Sequence, residues 1–209
     1  MKYPFRYFVS LDLGPAGEYT SLAVLELPVG YAGEKKPPYS LRHLRRFPIG
    51  SAYPDIGEEV GELLRKPPMP ACWFIVDHTG VGRAVLRLFQ DRLQHSVRCT
   101  FVPVSIIASN VTKAAPENPF AVPKQELVGT LQVLLQTRRL RVAKELPETV
   151  ELVREMEEYR LKPLKLAGES DEMWREGPRD DLVLAVALAA WCGEKRLPEV
   201  GRQGPVVLR

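Results

Sequence analysis

Four aspartates carry the chemistry open to this sequence. Asp12 stands in FVSLDLG, Asp77 in CWFIVDHTGVG, and Asp180 and Asp181 open the apolar stretch of GPRDDLVLAVALAAW. An ionised carboxylate at the end of a buried element is costly unless it is paired or holds a cation. Three such sites in one chain point to a shared purpose, a hard divalent ion such as Mg²⁺. That ion takes carboxylate oxygens, keeps some waters and accepts phosphate oxygens as its remaining ligands. The three histidines form no comparable set, and His78 reads as an exposed loop residue. Each acid also has a plainer reading. Asp12 opens a turn before Gly14 and Pro15, Asp77 caps a helix starting near Thr79, and Asp180 and Asp181 sit in a first turn favoured by the helix dipole.

Periodicity shows which elements must position these acids. Residues 6–13, 20–28 and 39–47 read as three successive strands joined by Gly- and Pro-containing loops, an antiparallel meander. PDIGEEVGELLRK at 54–66 is a short helix with Ile56, Val60, Leu63 and Leu64 on one face, stopped by Pro67 and Pro68. ACWFIVD at 71–77 is apolar without alternation, the mark of a central strand covered on both faces. A helix with Val81, Val85, Leu88 and Phe89 inward follows, with Thr79 as its N-cap, then a fifth strand at 98–104. The second half is mostly helical. A loop at 105–123 leads to helices at 124–140 and 146–161, a loop or hairpin at 161–177, and a last helix at 180–192 that is apolar nearly all round. The class is α/β, a mixed five-stranded sheet flanked by helices. Ligands in such sheets gather at the carboxyl ends of strands. With strands one and four adjacent, Asp12 and Asp77 emerge on one edge and Asp181 reaches them from the last helix.

Composition frames the rest. The chain has 209 residues, 45% of them hydrophobic, enough for a substantial core in one domain over 1–209. Its 29 Lys and Arg against 26 Asp and Glu give a net charge of only +3, so bulk charge announces no polyanion partner. Basic residues instead cluster: Arg42, His43, Arg45 and Arg46 in LRHLRRF; Arg138, Arg139 and Arg141 in TRRLR; and Arg196, Arg202 and Arg209 along the tail. Cys72, Cys99 and Cys192 are odd in number, widely spaced and without a CxxC pair, which argues for a reducing compartment and against a zinc site. Trp73, Trp174 and Trp191 read as packing residues. No run is long enough to span a bilayer and the N-terminus is no signal peptide, so a soluble, intracellular protein is expected.

These residues resemble the nuclease domain of the large terminase subunit of tailed phages, within the ribonuclease H-like superfamily. Asp12, followed by Glu18, Tyr19 and Thr20, looks like the family's first motif. Asp77 before Thr79-Gly80-Val81-Gly82 is similar to its second, and 122–142 resembles its Lys-containing helix and short following strand. RDDLVLAVALAAW at 179–191 looks like the third motif, with Arg179 where His is usual; Glu18 stands where Asp is common. The resemblance implies a ribonuclease H-like fold and an Mg²⁺- or Mn²⁺-dependent endonuclease using two ions about 3.5 to 4 Å apart. It implies catalytic and metal-binding roles for Asp12 as bridge and for Asp77 and Asp181, with Asp180 or Glu18 as outer ligands and Lys124 near the scissile phosphate. Crowded acids would have raised pKa values and gain stability from the metal. Arg42, Arg45, Arg46, Arg138, Arg139 and Arg179 are the candidate nucleic-acid contacts.

The implied partners are double-stranded DNA and, in the cytoplasm of a phage-bearing host, a separate packaging ATPase, a portal or a small terminase subunit. No GxxxxGK[ST] loop is present, so no ATPase domain is expected. A Holliday-junction resolvase or ribonuclease H needs the same acids. A nucleic-acid-binding module without catalysis is the alternative from another class. A sugar-kinase or actin-like ATPase needs two such lobes, for which the chain is too short.

Overall fold

Where a strand is covered on both faces, its hydrophobic run is continuous, and here that pattern runs through the centre of the sheet. The computed structural model describes residues 5–30, 36–69, 71–93, 98–107, 113–115, 118–158 and 179–196. Its elements are β1 (Phe5–Asp12), β2 (Thr20–Pro28), β3 (Tyr39–Phe47), α1 (Tyr53–Arg65), β4 (Trp73–Asp77), α2 (Gly82–Leu93), β5 (Thr100–Ile107), β6 (Lys113–Ala115), β7 (Asn118–Pro123), α3 (Lys124–Gln136), β8 (Leu140–Val142), α4 (Thr149–Glu158) and α5 (Asp181–Trp191). A π-helical turn at Cys192–Arg196 continues α5. The expected loop or hairpin at 161–177, with Trp174, and the tail residues Arg202 and Arg209 lie outside the described residues.

The strands form one eight-stranded sheet in the order β6-β7-β5-β4-β1-β2-β3-β8. β1, β2 and β3 make the expected antiparallel meander, and β4 and β5 add to β1 in parallel. The expected count of five strands is too low. β7 runs parallel to β5, β6 antiparallel to β7, and β8 parallel to β3. β7 was hidden because Pro119 and Pro123 read as loop residues. At this end of the sheet β7 pairs through only three registered positions with β5, so proline is tolerated. β8, only three residues long, falls where the resemblance places a short strand after the Lys-containing helix, a strand left out of the count of five. It also truncates the helix expected over 124–140. Arg138 takes φ 55°, in the left-handed region, and the chain leaves α3 at Gln136 to pair as β8.

Helices cover both faces. On one, Val9, Leu11, Leu22, Val24, Phe74 and Val76 pack against Ile56, Val60 and Leu64 of α1 and Phe89 and Leu93 of α2. On the other, Phe8, Ala23, Leu25, Ile75 and Val102 pack against α5, with Leu127, Leu131 and Leu134 of α3 and Leu152 of α4. α5 is buried from Leu182 through Trp191, as its apolar composition requires. Trp191 is a packing residue whose indole N–H donates to Glu126 Oε1 at 2.9 Å. The alanines let α5 lie close to the strands, and the Ala185 carbonyl accepts a 2.6 Å hydrogen bond from Ser10 Oγ in β1. That contact fixes the height of the helix over the sheet. Replacing the fully buried Ala185 by Leu is expected to cost about 1–3 kcal/mol, read as a lower urea midpoint at unchanged m-value.

Candidate active site

The acids meet because the register of four strands puts their side chains on one rung. Asp12, the last residue of β1, is directly opposite Asp77, the last of β4, and opposite Ser21 in β2; Ser21 is in turn opposite Arg46 in β3. Directly paired residues point to the same face. That face is the one α5 covers, and its first turn brings Asp181 over Ser21, whose hydroxyl donates to Asp181 Oδ2 at 2.5 Å. Asp180, the N-cap residue of α5, lies beside Lys124 at the start of α3, with Lys124 Nζ 2.5 Å from its Oδ2.

Asp12 and Asp77 are nearly inaccessible, at 8% and 3% exposure. Burial first, and then the charges of Asp77, Asp180 and Asp181, push the Asp12 carboxyl well above the usual carboxylate range. A hydrogen bond shared with Asp77 raises it further. Asp77 is also raised: burial outweighs the bonds from Thr79 and Asp12 that favour its charged form. The backbone N–H of Thr79 (3.0 Å) and its hydroxyl (2.6 Å) both donate to Asp77 Oδ1. Thr79 is therefore not the N-cap of α2, which begins at Gly82. It closes a turn on Asp77 and receives the N–H of Ile106 from β5 on its own oxygen at 2.7 Å. His78 is not an exposed loop residue either. It is half-buried, with Nε2 3.4 Å from Ser105 Oγ.

Asp181 is held from the other side by Arg46. The guanidinium donates from Nε to Oδ2 at 2.7 Å and from Nη2 to Oδ1 at 3.3 Å, and it also pairs with Glu155 of α4. Glu155 is 4% exposed, and its Oε2 accepts the N–H groups of Leu182 (3.0 Å) and Val183 (3.2 Å). Two of the amides that a helix leaves unsatisfied at its start are thus capped by a carboxylate from another helix, while Asp180 makes no side-chain cap. Burial, then the neighbouring Asp181, pushes Glu155 up to about 7. Sequence reading missed Ser21 and Glu155. Ser21 carries no local signal. Glu155 does, because it falls three residues after the buried Leu152 and interrupts the apolar stripe of α4.

The candidate basic contacts divide. Arg46 is not a surface cation: its side chain is 10% exposed between Glu155 and Asp181. Arg139 is likewise tied down. It donates to both oxygens of Glu194 in the π-helical turn, at 3.0 and 2.7 Å, and to the Pro37 carbonyl. Tyr39 Oη joins Glu194 at 3.0 Å, and only a glycine fits at 193, where a Cβ would stand 2.4 Å from that hydroxyl. Arg42 is more than half exposed and pairs with Glu26, while Arg45 pairs with Glu59. His43 is half-buried, its pKa lowered by burial and by Arg45, so it adds no positive charge at neutral pH. Arg138 and Arg179 are exposed, and the Arg179 guanidinium lies 5.2 Å from the centre of the Tyr19 ring, on which Arg46 also stacks at 4.8 Å. Glu18 is exposed on the β1–β2 turn, lining a cleft of about 200 Å³ with Gly14, Thr20, Ser51 and Tyr53. Lys124 is part-buried.

Among the described residues, no three His, Cys, Asp or Glu side chains already converge on one ligating point. Asp12 and Asp77 face each other, while Asp181 is turned to Ser21 and Arg46 and Asp180 to Lys124. The donor set nevertheless suits a hard divalent cation: it is all carboxylate oxygen, half of it deeply buried, and the other three acids raise the proton affinity of Asp12.

This arrangement of sheet and helices is the ribonuclease H-like fold, as terminase nuclease domains have it. The chain superposes on the large terminase nuclease of thermophilic phage G20c with a TM-score of 0.56 at 17% identity, over 91% of this chain and 82% of that one. It matches the human cytomegalovirus terminase nuclease domain, soaked with Mn, with a TM-score of 0.58 at 14% identity, over 92% and 85%. Against the large terminase of bacteriophage HK97 the TM-score is 0.50 at 12% identity, over 91% of this chain and 40% of the other. No protein-family profile and no curated protein matches the sequence. Among the described residues no helix is long and apolar enough to cross a membrane.

The raised acids have a measurable consequence. Both Asp12 and Asp77 keep protons in the folded state at pH values where the unfolded chain, with carboxyls near about 4, has released them. Their contribution to stability is therefore full below about pH 4 and is lost as pH rises through the folded values. Metal-free Asp12→Asn is expected to be more stable than wild type at neutral pH, with the difference closing toward pH 4. Urea unfolding followed across pH in the presence of chelator reads this directly.

Proposed function

We propose that this chain is an Mg²⁺- or Mn²⁺-dependent DNA endonuclease, similar to the terminase nuclease that cuts concatemeric viral DNA, acting as one nuclease domain. The observation that carries the reading is the crowding of three aspartates, Asp77 from β4 and Asp180 and Asp181 from the start of α5, around the buried carboxyl of Asp12 at the end of β1. Nothing in the packing requires such crowding, and like charges this close are destabilising unless a cation joins them.

In this reading Asp12, Asp77 and Asp181 would hold the two ions, Asp12 as the ligand common to both, with Asp180 as an outer ligand. The ions, when bound, supply an activated water and stabilise the charge that develops on the leaving 3′ oxygen. The protein's part is orientation. Thr79 aims one oxygen of Asp77, which leaves the other toward Asp12. Lys124, paired with Asp180, stands where it can exchange that carboxylate for the scissile phosphate. Arg179, held over Tyr19 next to the acids, and the exposed Arg138 supply a grip on the backbone that reads phosphate rather than sequence. Arg45 serves the same end by exchanging its surface partner Glu59 for phosphate, and the exposed part of Arg42 adds charge while it stays paired with the buried Glu26. The substrate is double-stranded DNA in the cytoplasm of a phage-bearing host, and a packaging ATPase, portal or small terminase subunit is the expected assembly partner.

The test is nicking and linearisation of supercoiled plasmid by the whole chain with millimolar Mn²⁺ or Mg²⁺, with branched DNA and RNA/DNA hybrid run in parallel. Cleavage is expected on plasmid, abolished by chelator and reduced at least about a hundredfold by Asp12→Ala or Asp77→Ala. Faster cleavage of junctions or hybrids would reassign the substrate within the same fold. Tight DNA binding with no cleavage under any metal would leave a binding module instead.

A further inference from the structure

The rung that carries Asp12 also carries Ser21 and Arg46, and neither has a role in the chemistry described so far. Both converge on one oxygen of Asp181. Ser21 Oγ donates to Oδ2 at 2.5 Å and Arg46 Nε donates to the same atom at 2.7 Å. A carboxylate oxygen has two lone pairs. Oδ2 is therefore filled by protein donors, whereas among the described residues Oδ1 receives only the 3.3 Å contact from Arg46 Nη2. From this, and resting on the function proposed above, we infer that Ser21 and Arg46 are positioning residues that make Asp181 a one-oxygen ligand, presenting Oδ1 to the metal.

The support behind them is built to hold this aim. Ser21 is fully buried, and its backbone position is set by pairing with Asp12 on one side and Arg46 on the other. Arg46 is clamped between two acids. Its Nη2 pairs with Glu155 while Nε holds Asp181, and its face lies on Tyr19. Glu155 in turn grips the first amides of α5, the helix that carries Asp181. The carboxylate is thus fixed twice, once through its own oxygen and once through the helix on which it rides. A lysine at 46 would keep the charge but lose the planar fork that reaches Asp181 and Glu155 together. Neither side chain is exposed enough to serve as a contact for DNA.

Ser21→Ala and Arg46→Lys leave the net charge of the site unchanged and so isolate orientation from electrostatics. Isothermal titration of Mn²⁺ into the metal-free protein should show binding weakened about ten- to a hundredfold in either variant, the range that loss of an outer-shell partner typically brings. With plasmid as substrate, kcat should fall with an unchanged KM for DNA, and the Mn²⁺ concentration for half-maximal rate should rise. In crystals soaked with Mn²⁺, wild-type Asp181 should ligate through Oδ1 alone. Variants that unfold at lower temperature but whose folded fraction binds Mn²⁺ as wild type does would overturn the inference, as would a rise in KM alone. Bidentate ligation by Asp181, or Mn²⁺ uptake indifferent to Asp181→Asn, would overturn it too. A wild type that binds Mn²⁺ yet cuts no nucleic acid refutes the endonuclease reading while the titration and the soaked crystal still decide this one.

Discussion

Everything in this structure depends on the close approach of like charges at the carboxyl end of β1. Asp12 and Asp77 are directly paired across parallel strands and almost wholly buried, so they cannot relieve their repulsion by turning to water. Their proton affinity rises instead, and the remaining acids, Asp180 and Asp181, are each paired with a cation, Lys124 and Arg46. Raised proton affinity at Asp12 and Asp77 and two basic side chains thus offset the crowding of the four acids.

The scaffold is arranged to impose this balance. α5 is apolar on every side and has no surface to turn outward, so it packs deep against β1 and β2 and carries its two acids with it. Its alanines set the depth, and Ser10 fixes it by bonding the Ala185 carbonyl. A helix start buried this far leaves amides that water cannot reach. Glu155 satisfies two of them, and Arg46 neutralises Glu155 and Asp181 together. The network of Arg46, Glu155 and Asp181 is buried, and removal of Arg46 would leave two acids without their cation in a dry site. At the opposite end, Arg139, Glu194 and Tyr39 bind the π-helical turn to β3 in the same manner. α5 is thus held at both ends by ion pairs and along its length by the core.

The cationic side of the site shows how position in a fold changes the meaning of a residue type. Five arginines in basic clusters, and Arg179 beside the acids, looked alike as candidate phosphate contacts. The sheet turns Arg46 inward beneath α5 and draws Arg139 onto Glu194, leaving Arg138 and Arg179 exposed, Arg45 in a surface pair and Arg42 half-exposed over the buried Glu26. A surface pair such as Arg45–Glu59 contributes little to stability and exchanges readily, whereas the buried ones are structural. Arg179 stacks on the same tyrosine as Arg46, so one aromatic ring orders an inner and an outer guanidinium beside the acids.

The sequence by itself determined the meander, the central strand β4, the buried last helix and the three positions where acids end or begin apolar elements. These are local properties, written in hydrophobic period and composition, and the motif order around Asp12, Asp77 and Asp181 added the fold. Hydrophobic period did not show β6, β7 or β8, because β6 and β8 are three residues long and β7 is interrupted by Pro119 and Pro123; only the motif resemblance pointed to β8. Nor did the sequence show Ser21 or Glu155, whose importance arises only when the register sets Ser21 between Asp12 and Arg46 and the packing of α4 brings Glu155 to the start of α5. The tertiary structure also decided which acids touch and which are held apart. Register, helix depth and burial set the distances between charges, and at short range in a dry site distance fixes protonation, pairing and ligation alike.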